Sequence, residues 1–223
     1  MISAIGIGPG DPSYMTRLGE ARLQKADIVV GFETVLQLAD DLVPVTAERV
    51  VLTYRNQEDQ LAQVAARHAD GARCAVLFMG DFLFSGYQML ERLERACGER
   101  AERIPGISAA QLVAAAGDVC FDETTFITFH RRGDLQPFQQ RLVHTLQEGW
   151  NAIVIPRPWD FMPHEISRYL IEQGVDERLP LEVWENLTGE EDHWSGTLAS
   201  CPDSFSDMSI LLIRTLTPIP SAV

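Results

Sequence analysis

The sequence predicts an α/β fold in two lobes, each built on a mainly parallel sheet. Three observations carry that reading. Short apolar runs of strand length alternate with longer segments of helical period along the whole chain, the pattern of strands joined by helical crossovers. About four such strands precede residue 100 and about four follow it, with a capped helix start at Ser108 between the groups. The chain has 223 residues; at about 150 residues per domain it accommodates one large domain or two small ones. Two sheets fit the strand count better than one long sheet, so the lobes are expected at 1–107 and 108–223.

The elements follow in order. Ile2 to Ile7, Asp27 to Val30, Arg49 to Leu52 and Arg73 to Met79 read as strands. Leu61, Val64, Ala65 and His68 recur at i, i+3, i+4 and i+7, one face of a helix that Asn56 caps and Gly71 stops. Ser85 is expected to cap the next helix, whose apolar face is Tyr87, Leu90, Leu93 and Cys97. Ser108-Ala109-Ala110-Gln111 has the spacing of a capping box and opens an alanine-rich helix that ends at Gly117. Thr125 to Phe129 is the next strand, and Phe138, Leu142 and Leu146 share the following helix face. Asn151 to Ile155 is a strand stopped by Pro156 and Pro158; Pro163 to Gln173 is a helix that Gly174 terminates. Leu181 to Trp184 and Met208 to Arg214 complete the strands, with the acidic stretch Glu185 to Asp192 read as a solvated loop.

Composition excludes several classes of function. With 46% hydrophobic and 22% charged residues the chain is an ordinary globular protein, not a disordered one. Eighteen basic against 32 acidic residues give a net charge of -14, which argues against nucleic acid as partner. Lys25 is the only lysine, so nearly every cation is a planar guanidinium suited to binding carboxylates. Cys74, Cys97, Cys120 and Cys201 have neither C-x-x-C nor zinc-like spacing with histidine, so no metal is expected. They read as reduced thiols, with Cys74 in the core. No apolar stretch is long enough to span a membrane, and no basic n-region precedes the first apolar residues; a cytoplasmic location is expected.

Three glycine motifs could carry chemistry. Gly6-Ile7-Gly8-Pro9-Gly10-Asp11-Pro12 directly follows the first strand. It is not the dinucleotide fingerprint, because Asp11 stands where the last glycine should fall and two prolines remove backbone donors. Gly80-Asp81-Phe82-Leu83-Phe84-Ser85-Gly86 lies at the carboxyl end of the strand from Arg73, the end at which open α/β sheets bind ligands. Ile104-Pro105-Gly106-Ile107-Ser108 is a strand end, a turn and a helix start whose free amides could hold a carboxylate. Taken singly, the first two can also be read as plain turns, and the third is more often just a helix start.

Together, their order and spacing resemble the tetrapyrrole methylase superfamily, which has a G-x-G-P-G-D-P loop followed by Leu-Thr, a G-D-P-x-x-x-G loop and P-G-[IVT]-[ST]-[SA]. This chain keeps Thr16 but has Met15 for the usual Leu, and Phe82 for the usual proline. Phe129-His130-Arg131-Arg132-Gly133-Asp134 is similar to the S-x-H-G-R-D segment of the precorrin-6Y methyltransferases of the CbiE type, with Arg131 where glycine is common. Trp184-Glu185-Asn186-Leu187-Thr188-Gly189 resembles the E-N-L-G segment of those enzymes. The likeness runs from residue 2 to about 214.

The resemblance implies a class III methyltransferase fold with S-adenosylmethionine (SAM) in a cleft between the lobes, and a homodimer. It implies methylation of a corrinoid precursor, precorrin-6Y or cobalt-precorrin-7, at carbon 5 in cobalamin biosynthesis. A separate partner enzyme would then methylate carbon 15 and remove a carboxyl group. Expected cofactor contacts are Gly8, Pro9, Gly10, Gly80, Asp81, Phe84, Ser85, Ser108, Ala109, Ile155, Asn186 and Leu187. Asp81 and His130 are the candidates for a base. Because the substrate carries several carboxylates and the protein is acidic, a local rim of His130, Arg131, Arg132 and Arg157 is expected to bind it. The competing view pairs these arginines with acidic neighbours such as Asp134 and Asp160. The alternatives are another transferase of the superfamily acting on rRNA or protein, a catalytically silent SAM-binding protein, or an NAD(P)-dependent oxidoreductase with Glu33 on the ribose.

Overall fold

The apolar runs form two five-stranded sheets in a computed structural model that describes residues 1–189 and 192–216. The chain divides into two compact units, Met1–Ser108 and Ala109–Val223.

In the first unit the order along the chain is β1 (Ile2–Gly6), α1 (Arg17–Leu23), β2 (Ile28–Phe32), α2 (Glu33–Leu38), β3 (Glu48–Leu52), α3 (Gln57–Ala69), β4 (Cys74–Phe78), α4 (Tyr87–Cys97) and β5 (Glu102–Ile104). All five strands are parallel, in the order β3-β2-β4-β1-β5. β1 and β4 are buried along their whole length, as expected for a parallel sheet covered on both faces. Alternate residues serve opposite faces. Ile2, Ala4, Val30, Cys74 and Val76 pack with Leu61, Val64, Leu90 and Leu93 of α3 and α4. Ile5, Val29, Ala75, Leu77 and Ile104 pack with Leu23, Val35 and Leu36 of α1 and α2. The short edge strand β5 is held from both faces by charge. Glu102 accepts from Arg22 of α1 at 2.8 Å and from Ser3 at 2.8 Å, and Arg103 pairs with Glu94 of α4 at 2.7 Å. Hydrogen bonds from these guanidinium groups hold the Glu102 and Glu94 carboxyls below their ordinary range.

One local expectation fails here and another holds in position only, each for an identifiable reason. Ser85 does not cap α4; the N-cap is Gly86 at φ +111°, where the chain must turn left-handed to leave the second loop. Asn56 stands at the start of α3, but its side chain turns back to accept from the Thr53 amide at 2.6 Å instead of capping the helix.

The second unit runs α5 (Ala109–Ala116), β6 (Thr124–Thr128), α6 (Gln136–Gln147), β7 (Asn151–Ile155), α7 (Pro163–Glu172), β8 (Pro180–Glu185), β9 (Asp192–Thr197) and β10 (Ser209–Ile213). Its sheet order is β6-β7-β10-β8-β9. Here the expectation of a mainly parallel sheet is corrected. Only β6 and β7 are parallel; β7–β10, β10–β8 and β8–β9 are antiparallel. The reason lies in the connections: no α-helix separates β8, β9 and β10, and a parallel neighbour requires a long crossover. β9 is a strand that the sequence pattern does not reveal, and its first residue Asp192 falls in the stretch expected to be a loop. Glu190 and Glu191 of that acidic stretch lie outside the described residues. Ile127, Phe129, Val154, Leu181, Val183, Leu211 and Ile213 form the core with Leu142 and Leu146 of α6 and Ile166 and Leu170 of α7.

Candidate active site

The loops after β1, β4 and β5 converge in the first unit. β1 and β4 are neighbours, but the chain leaves β1 toward β2 through α1 and leaves β4 toward β5 through α4, on the opposite face. Their carboxyl ends are therefore a topological switch point, the place where open α/β sheets bind ligands.

Backbone contacts brace this point. Gly8 and Gly80 form an antiparallel bridge, with Gly80 N donating to Gly8 O at 2.7 Å. The glycines are required by contact: a methyl built on Gly106 would lie 2.2 Å from the Gly80 carbonyl oxygen, and one on Gly6 would lie 2.6 Å from Gly106 N. Asp81, 3% exposed, ties the second loop to the third. One carboxylate oxygen accepts from Leu83 N at 2.7 Å and the other from Gly106 N at 2.9 Å. Phe84 N and Ser85 N donate to the Asp81 carbonyl. The geometry gives this carboxylate a clamping task and leaves neither oxygen uncommitted.

Phe82 takes the place of proline by turning inward. Its ring is fully buried and meets Phe78 edge-on at 5.3 Å, anchoring the loop in the core beneath α4. Pro9 and Ser108 are buried, whereas Gly10, Phe84 and Ser85 are half-buried.

The remaining candidates belong to the second unit. β8 runs antiparallel to β10, and β10 antiparallel to β7, so β6, β7 and β8 all point the same way. Their carboxyl ends bring His130–Arg132, Arg157 and Asn186–Leu187 to one edge of the sheet. His130–Arg132 and Arg157 thus follow the ends of two parallel neighbours, β6 and β7. At the end of β6 the chain turns tightly: His130 N donates to Thr128 Oγ1 at 3.2 Å and Arg131 N to Phe129 O at 2.7 Å. His130 is exposed to water at its surface, yet the protein mass around it is enough to lower its pKa below the ordinary value by desolvation. The Asp207 carboxylate opposes that shift.

The three arginines differ. Arg157 donates from Nε to Asp160 Oδ1 at 2.6 Å and from Nη1 to Gly133 O at 3.4 Å, so the acidic-neighbour view applies to it. Arg132 is exposed. The Arg131 guanidinium lies 3.9 Å above the centre of the Phe138 ring. Asn186 adopts φ +49°, and its N–H donates to Met208 O at 3.2 Å, which fixes the turn after β8 against the start of β10. Ile155 and Leu187 are half-buried, as is Ala109 at the start of α5. Sequence reasoning did not find Phe138, which read only as a core helix position, or Asp207, which no motif marks.

An α/β unit with glycine loops at its switch point, followed by a mixed α/β unit with a cationic strand edge, defines a ligand-binding α/β enzyme. The oxidoreductase alternative does not fit. β4 lies between β1 and β2, so Glu33 at the end of β2 is two strand spacings, about 10 Å, from the first loop. Residues 1–202 match the tetrapyrrole (corrin/porphyrin) methylase family, and the chain belongs to that family; it is a methyltransferase. Among its relatives is a probable cobalt-precorrin-7 C(5)-methyltransferase of Methanocaldococcus jannaschii, 28% identical over 195 residues that make up 86% of each chain. A siroheme synthase of Cronobacter sakazakii is 28% identical over 82% of this chain, which spans only 42% of that longer protein. The fold is shared with a precorrin-6Y methylase from Archaeoglobus fulgidus, with TM-score 0.69, 20% identity and coverage of 97% and 99% of the two chains. Among the described residues no helix is long and apolar enough to cross a membrane, and no cluster of His, Cys, Asp and Glu could hold a metal ion.

Proposed function

We propose that this chain transfers the methyl group of SAM to carbon 5 of a corrinoid precursor of the precorrin-6Y or cobalt-precorrin-7 type, in cobalamin biosynthesis. The observation that carries the reading is the match, over 86% of both chains, to a protein described as a cobalt-precorrin-7 C(5)-methyltransferase. The residues at the switch point suit SAM. Gly8, Pro9, Gly10 and Gly80 offer main-chain surface without bulky side chains, which accommodates an adenosine and an amino-acid zwitterion. Phe84, Ser85 and Ser108 flank them, and Ala109, Ile155, Asn186 and Leu187 complete the proposed contacts. The bound cofactor supplies an electrophilic sulfonium methyl.

The protein's own work is alignment, exclusion of water and handling of one proton. Asp81 acts at one remove: by holding Leu83 and Gly106 it fixes the loops that position the donor. His130 is the better placed of the two candidate bases. Desolvation favours its neutral form, which can accept the proton that carbon 5 sheds after attack. Arg131 and Arg132 receive carboxylate side arms; Arg157, engaged by Asp160, contributes less. A homodimer, a cytoplasmic location and a separate carbon-15 enzyme belong to the same reading.

Incubation with SAM and carbon-5-unmethylated corrinoids, with and without cobalt, tests it by mass spectrometry. One added methyl, lost in His130→Gln but not through lost SAM affinity, is the expected result. SAM binding without turnover on any corrinoid would favour a silent binding protein, and methylation of rRNA or protein would favour another branch of the superfamily.

A further inference from the structure

Arginines that are not exposed in this chain are almost all spoken for. Arg22, Arg92, Arg103, Arg157 and Arg214 each pair with a carboxylate within 4 Å, at Glu102, Glu58, Glu94, Asp160 and Glu182 respectively. With 32 acidic against 18 basic residues, partners are abundant. Arg131 breaks the pattern. It is half-buried, its Nε is shielded from water with no hydrogen-bond partner, and no carboxylate pairs with it among the described residues. A guanidinium that has lost part of its hydration without gaining an anion is costly to keep.

Phe138 makes up part of that loss. It is the third residue of α6 and packs against the second unit's core. The Arg131 guanidinium lies over its ring at 3.9 Å from the centre, a distance at which a ring quadrupole attracts a cation. The tight turn after β6 ties the backbone of Arg131, whose N–H donates to Phe129 O, and the Phe138 ring supports its guanidinium. A planar fork held in this way loses little entropy when a carboxylate arrives.

We propose that Arg131 is a reserved receptor for one carboxylate side arm of the substrate and that Phe138 is its positioning residue, acting through the face of its ring. The inference rests on the proposed function for the identity of the ligand, and adds that Arg131 is held ready for it by Phe138.

The test uses the full chain and uroporphyrin I, a fluorescent tetrapyrrole with eight carboxylates, as probe. Dissociation constants are measured for the wild type, Phe138→Leu, Phe138→Trp and Arg131→Lys, together with SAM affinity and melting temperature. Phe138→Leu keeps an apolar side chain but removes the ring, and should weaken the porphyrin by about 3- to 10-fold with SAM affinity unchanged. Phe138→Trp should stay within about 2-fold of the wild type, because it restores a stronger ring face. Arg131→Lys keeps the charge but not the planar fork, so it should resemble Phe138→Leu with the salt dependence of binding retained. Wild-type binding that Phe138→Leu leaves unchanged, or Phe138→Trp as weak as Phe138→Leu, overturns the assignment and leaves the proposed function standing. A wild type that binds no tetrapyrrole polycarboxylate overturns the substrate reading and the receptor with it.

Discussion

Replacing Asp81 by Asn separates a clamp from a base. In the wild type the two carboxylate oxygens accept from Leu83 N and Gly106 N at 2.7 and 2.9 Å, in a position 3% exposed. Asparagine has one acceptor oxygen, so it can satisfy only one of these amides, and its NH2 group then faces the other. The variant loses one charge-assisted hydrogen bond and strands one buried N–H, which together cost about 3 kcal/mol. For a unit of roughly 110 residues, about 4 °C per kcal/mol converts that into a fall of about 12 °C in the transition of the first unit. Differential scanning calorimetry reads the shift, and titration calorimetry should show SAM affinity falling in parallel as the second and third loops separate. If Asp81 were instead the proton acceptor, Asp81→Asn would melt within about 2 °C of the wild type and keep its SAM affinity while kcat collapsed. That outcome would refute the clamp.

Three further outcomes are expected. Gly106→Ala should fail to accumulate as folded protein, because its methyl would meet backbone at 2.2 Å; Gly71→Ala, with nothing within 4 Å but φ +100°, should cost only about 1 kcal/mol by urea unfolding. His130 titrates below its ordinary 6.5 in the folded chain, so as pH falls through 6.5 the unfolded state takes up the proton first and the stability contributed by the neutral ring is lost. Its kcat should accordingly stay level above pH 6.5 and fall only below it, and an inflection at or above pH 7 would count against His130 as the base. Burial raises the Cys74 and Cys201 thiols and pushes Cys97 up to about 11, whereas Cys120 is exposed; iodoacetamide at pH 8 should label Cys120 first by peptide mapping, and early labelling of Cys97 would contradict the packing of α4.

The sequence showed most clearly what depends on local pattern. The continuous apolar runs of β1 and β4 and the i, i+3, i+4 spacing of α3 mark elements whose burial is the same wherever the rest of the chain goes. The three glycine loops were visible because close backbone approach leaves no other choice of residue. The second sheet was less legible: β9, with its Asp192, His193 and Trp194, gains its strand form from pairing with β8 and has little apolar signature of its own. Asp81 drew attention as a carboxylate in a loop, but its task is set by where Gly106 N lies, 25 residues away. Arg131 reads in the sequence as one of several rim cations, with nothing to set it apart from Arg132, and Phe138 reads only as a core helix face. Their significance comes from a contact between two elements and from the lack of an anion, and neither leaves a trace in spacing.

The place of β10 has a consequence for synthesis. The first sheet has all its described strands by Ile104, so it can close while the later part of the chain is still being made. The second cannot. β10 starts at Ser209 yet lies between β7 and β8, supplying both with their hydrogen-bonded neighbour. Until it emerges from the ribosome, β7 and β8 each present an open apolar edge, the kind of surface that templates aggregation. A nascent chain paused just short of Ser209 would carry a finished first unit tethered to a second that lacks its centre. Production of this protein is therefore most exposed to chaperone supply and translation pauses over its final stretch of described residues.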